Sequence, residues 1–168
     1  MGIIRRRRRR GYRAPRDLRG YREDLTTRTG QIDTELGAMV DLLDALRRRD
    51  ADASEALTRL HAAEGSLRTA ADVLREIVAP EELHRLHTEY EGNLARALRG
   101  IMTAERGCAL TRLPRRPPDD EEPFIYWKHA HQNILHAQLR MRELVAVLLA
   151  WEPGRPAEVT VATRLRRT

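Results

Sequence analysis

Leu18, Leu25, Ile32, Met39 and Leu46 follow one another at strict seven-residue intervals, every one apolar. Seven residues are two helical turns, so the five side chains form one stripe about 40 Å long on a single helix. Leu36 and Leu43 widen it. The stripe predicts a helix from about Arg16 to Arg48 that needs other helices to cover it. Asp17, Glu23 and Asp24 lie near its start and Arg47, Arg48 and Arg49 at its end, as the helix dipole favours.

Three further stripes follow. Asp52 and Glu55 have the spacing of a capping-box variant and open a second helix that runs to Val78. Its stripe is Leu57, Leu60, Glu64, Leu67, Ala71, Leu74 and Val78. Pro80 suits the first turn of a third helix, with Glu81 and Glu82 behind it. That stripe reads Leu83, His87, Tyr90, Leu94, Ala97, Ile101, Ala104 and Cys108. Gly100 and Gly107 sit one heptad apart beside it, where small residues let a neighbouring helix come close. Residues 114–123 hold four prolines and four consecutive acids, which break the helix and form a linker. Pro123 starts the fourth helix, expected to reach Trp151, with the stripe Trp127, His131, Ile134, Gln138, Met141, Val145 and Leu148.

Short turns make consecutive helices antiparallel, so the sequence predicts an all-α, up-down-up-down four-helix bundle over residues 16–152. Residues 1–15 read as a disordered basic arm and residues 153–168 as a short tail. Composition agrees. Hydrophobic residues make up 41% of the 168, enough for one core, while aromatics are only 4% and charged residues 33%.

The net charge of +6 is unevenly placed. Residues 1–22 hold ten Arg and one Asp, a net +9, and residues 164–168 hold three Arg. The body between them carries −6. A basic arm on an acidic body is the pattern, with no basic face on the body itself. Lys128 is the only lysine, and coding by a GC-rich genome accounts for arginine over lysine, though not for six in a row at Arg5, Arg6, Arg7, Arg8, Arg9 and Arg10. These six and Arg13 are candidate contacts to a polyanion, either nucleic acid or an anionic surface. Tyr12 is the only aromatic among them, so stacking on single-stranded bases is not indicated.

Cys108 is the single cysteine, which excludes an internal disulfide and suits a reducing, cytoplasmic setting. The longest clean apolar run, Leu144 to Trp151, is far too short to span a membrane, and no apolar stretch follows the arginine run as a signal peptide would require. Nucleophiles are scarce. Ser54, Ser66, Cys108 and Lys128 all fall within predicted helices, and no phosphate-binding loop or nucleophile elbow is present. No catalytic residue, cofactor or resident metal is expected.

The histidines supply the alternative, a zinc- or iron-binding bundle. His84, His87 and Glu91 share one helix face, and His61, Glu64 and His131 fall at similar heights along the second and fourth helices. Glu64 and His131 are expected to face each other across the core, since both are polar residues at otherwise apolar positions. A di-iron site needs Glu-x-x-His on two helices; only Glu81 with His84 matches. The competing expectation is that His87 and His131 are hydrogen-bonded structural residues and that Glu64 is half exposed or paired with an arginine. Phe124, Ile125, Tyr126 and Trp127 are consecutive, so they cannot all face one core. Either the linker folds over the outward pair, or Phe124, Tyr126 and Trp127 form a contact for an unidentified protein partner or a second copy. The sequence therefore predicts a non-catalytic interaction or scaffold bundle.

Overall fold

The computed structural model describes residues 17–115 and 117–153, so the expectations for the basic arm and most of the tail lie outside the described residues. Four helices form an up-down-up-down bundle: α1 (Leu18–Arg48), α2 (Ala53–Glu76), α3 (His84–Thr111) and α4 (Pro123–Ala150). A single 3-10 turn, Glu81–Leu83, leads into α3, and the described residues include no strand. Each helix packs on the next, and α4 returns to α1. The backbones of the diagonal pair α1 and α3 approach closely at few points, and those of α2 and α4 at none. No described helix is long and apolar enough to cross a membrane.

The helix starts follow from side-chain chemistry. Asp17 caps α1 by accepting from the Gly20 amide at 2.7 Å, so the helix begins after it rather than at Arg16. Asp52 caps α2 through the Ser54 and Glu55 amides at 2.8 and 3.0 Å. The end of α1 is closed by Arg49 in the left-handed region, φ 64°, with the Asp50 amide donating to the Ala45 carbonyl at 2.8 Å. This is a Schellman-type stop built on arginine instead of glycine. α2 ends at Glu76, two residues before the expected Val78. Pro80 disfavours helical geometry in the residue before it, and Ile77 is already extended. Ile77 then takes the buried place expected of Val78, which is exposed.

All eight stripe residues of α3 are buried. On α2 the buried line is Ala56, Leu60, Ala63, Leu67 and Leu74, rotated from the expected one so that Leu57 and Glu64 lie at its edge. The tightest approach is between α3 and α4. A Cβ on Gly100 would meet Ile134 Cγ1 at 2.8 Å and the Ala130 carbonyl at 3.3 Å. Gly100 and Gly107 therefore set the distance at which α4 can pack.

Polar groups pin the helices in register. Arg142 forks onto the Asp33 carboxylate at 2.6 and 2.9 Å, and Gln138 Nε2 donates to the Asp33 carbonyl at 3.0 Å, both tying α4 to α1. Arg140 holds Glu89 at 2.7 Å, tying α4 to α3. Arg22 of α1 donates to the Leu148 carbonyl at 3.1 Å and to that of Trp151, capping the end of α4 from a neighbouring helix.

Candidate docking groove

α2 leans on α3 more than on α1, and the side of the bundle between α1 and α2 is left open. Near the connecting turn Leu42, Leu43, Ala56, Leu60 and Ala63 fill the core. Further along, α2 offers Ser66, Thr69, Ala70 and Val73 opposite Arg28, Gln31 and Glu35 of α1. Small side chains facing polar ones leave volume between the helices. The result is a groove of about 380 Å³ with Ile32, Leu67, Ala70 and Val73 toward its floor and Arg28 and Glu35 on its α1 rim. A second hollow, sharing Arg28 and Gln31, continues along α1 past Thr27 to Glu23 and Asp24.

Among the described residues, several carboxylates of the bundle are paired, and the two charges on this rim are not. Asp33, Glu64, Asp72, Glu89 and Asp120 each hold an arginine. Among the described residues, no ion pair or hydrogen bond engages the side chain of Arg28 or Glu35, and Arg28 Nε is withdrawn from solvent without an acceptor. Sequence reasoning missed this groove because nothing apolar is in excess there. The only trace is the run of small residues on α2 facing polar positions of α1.

The histidine groups do not assemble as expected. His131 Nε2 lies 3.4 Å from Asp44 Oδ1 on α1, whereas Glu64 is bound by Arg68 one turn away on its own helix at 2.9 Å. Each of the two is held by another partner, so the expected Glu64–His131 pair does not form. His61 instead approaches Glu105 of α3, Nε2 to Oε1 3.8 Å. Burial raises the Glu105 carboxyl above its ordinary pKa, helped by the nearby Glu64 and opposed by His61 and Arg68.

His84 is exposed, while His87 is buried at the other end of the bundle. His87 Nδ1 meets the Tyr21 hydroxyl at 3.1 Å, and Nε2 is 3.9 Å from Glu91. Burial lowers the His87 pKa, and Glu91 and a bond to the Leu74 backbone oppose that shift. One turn on, the Tyr90 hydroxyl lies 2.8 Å from Thr29 Oγ1, and burial pushes its pKa up to about 12. These pairs are a polar clasp between α1 and α3. No group of three or more His, Cys, Asp or Glu among the described residues is arranged to hold a metal ion.

The aromatic run divides. Trp127 sits in the notch left by Gly107, and Tyr126 donates to Asp120 of the linker at 2.9 Å. Asp120 also holds Arg106, so the linker is folded back on the helices. Phe124 stays half exposed, with the Arg47 guanidinium 6.0 Å from its ring centre. Cys108 is fully buried and its thiol pKa is raised by that burial. Arg5 to Arg10 and Arg13 lie outside the described residues. No family model, curated protein or solved structure matches this chain.

Proposed function

We propose that this chain is a non-catalytic interaction protein, in which the arginine arm attaches to a polyanion and the bundle receives a protein partner. The observation that carries the reading is the separation of charge along the chain. Residues 1–22 bear +9, while the body bears −6 and has seven of its arginines, Arg47, Arg48, Arg68, Arg75, Arg106, Arg140 and Arg142, tied to its own carboxylates. A net-negative body repels a polyanion, so the attraction is assigned to the arm. Its seven candidate contacts, Arg5 to Arg10 and Arg13, act through release of condensed counterions, without reading sequence.

Two further features support a binding role over a chemical one. The single thiol is sealed in the core with a raised pKa, so little thiolate is available to attack a substrate. The buried His87 is held by Tyr21 and the Leu74 backbone rather than opening onto a cleft. A cytoplasmic setting belongs to the same reading.

The test replaces Arg5 to Arg10 and Arg13 with glutamine in the full chain and measures binding to duplex DNA and to phosphatidylserine vesicles. The unchanged chain should bind at least one of them at low salt, and the replaced chain neither. Equal binding by the two chains would place the contact on the body and overturn the reading. The two probes separate nucleic acid from membrane surface.

A further inference from the structure

We propose that the groove between α1 and α2 receives an amphipathic helix of a protein partner, carrying an acidic and a basic side chain two turns apart beside an apolar stripe. This rests on the reading of the bundle as an interaction protein and names where and how the partner is held.

The charge pattern comes first. Arg28 and Glu35 are seven residues apart on α1, hence on the same side and about 10 Å apart along the axis. That is too far for them to pair with each other, and neither has another ion-pair partner among the described residues. Arg28 Nε is already shielded from water, so a carboxylate brought to it restores a hydrogen bond the fold leaves unmade. A base at the other end does the same for Glu35. A small zwitterion cannot serve both, because its charges lie much closer together than the two rim residues.

The backbone decides the form of the occupant. The groove is walled by two helices whose amides and carbonyls are spent within the helices. An extended peptide laid there would find no backbone partners and would bury unpaired N–H and C=O groups. A helix satisfies its own backbone and presents side chains at three- and four-residue spacing. Such a stripe fits the floor of Ile32, Leu67, Ala70 and Val73. Acid and base placed seven residues apart on that helix then match Arg28 and Glu35 in spacing as well as sign.

The experiment uses the full chain and two labelled helical peptides of about 18 residues with the same leucine stripe. One carries Asp and Lys seven residues apart at its edge; the other carries Lys at both places. Fluorescence anisotropy should show saturable binding of the Asp/Lys peptide, about ten-fold tighter than the Lys/Lys peptide. Arg28→Glu should invert that preference, and Ala70→Trp, which fills the groove, should abolish binding of both while circular dichroism stays unchanged. DNA and vesicle binding through the arm should be the same in every variant, which separates failure here from failure of the broader reading. No saturable binding, equal affinity for the two peptides, or no inversion by Arg28→Glu would overturn the proposal. So would a homodimer in sedimentation that Ala70→Trp disperses, since the occupant would then be a second copy.

Discussion

Gly107 of α3 and Trp127 of α4 compete for one volume: a Cβ on Gly107 would stand 2.8 Å from Trp127 Nε1 and 3.0 Å from Tyr126 Cβ. The indole N–H is withdrawn from solvent there and faces only the weakly accepting Cys108 thiol. Glycine in mid-helix ordinarily costs stability relative to alanine, so the notch must be worth more than that cost. Gly107→Ala should destabilise the bundle by about 1–3 kcal/mol through overpacking. Gly65→Ala on α2, where nothing lies within 4 Å, should stabilise it by about 0.5–1 kcal/mol. Urea unfolding of the two variants reads the difference; effects of the same sign would mean the notch does not set the α3–α4 distance.

Arg49 pays for its place at the end of α1 with a left-handed backbone, φ 64°. Glycine adopts that conformation without strain. Arg49→Gly should therefore raise stability by about 0.5–1 kcal/mol, even though it removes a basic group from the helix end. A lower unfolding midpoint for the variant would show that the Arg49 side chain contributes more than the strain it causes.

Burial of His87 makes stability depend on pH. The unfolded histidine titrates near pH 6.5, and the buried one titrates below that. Between the two values the unfolded chain holds the extra proton, so stability is full above about pH 6.5 and falls as the pH drops through this window. The unfolding midpoint should be lower at pH 5 than at pH 7, and His87→Gln should lose part of that decline. An identical decline in the variant would remove His87 as its source.

Glu105 acts in the opposite sense. Its carboxyl pKa is raised in the folded chain, so the folded state binds the extra proton between the ordinary carboxyl value and the raised one. Its contribution is fully present at low pH and is lost as the pH rises through that window. Glu105→Gln should stabilise the bundle at pH 7 and have little effect near pH 4. Destabilisation at pH 7 would mean that the approach of His61 outweighs the burial of the carboxylate.

The bundle itself was legible because the apolar stripes recur at helical spacing over long stretches, and no other architecture buries four such stripes at once. The role of Gly100 and Gly107 was legible for the same reason. What periodicity does not encode is how far each helix rotates about its axis. α2 turned slightly, which moved Glu64 to the edge, where Arg68 one turn along the same helix holds it, and the early end of α2 before Pro80 left Val78 outside. Nor does it say which diagonal helices meet; the backbones of α2 and α4 approach closely nowhere, and Glu64 and His131 found other partners, Arg68 and Asp44. Tyr21 lies off the heptad stripe of α1, and its pairing with His87 depends on the relative heights of α1 and α3, which their separate sequences do not fix. The groove between α1 and α2 is a deficit of side-chain volume, and a deficit leaves little trace in a pattern of apolar residues.

The most direct measurement is the salt dependence of duplex DNA binding by the full chain, beside the chain with Arg5 to Arg10 and Arg13 replaced by glutamine. Seven arginine–phosphate contacts predict a slope of about −6 for log K against log salt. The replaced chain should show no measurable binding at the same concentrations, with an unchanged circular dichroism spectrum. A shallow slope in the full chain, together with a replaced chain that binds DNA or vesicles as well as the original, would contradict attachment through the arm.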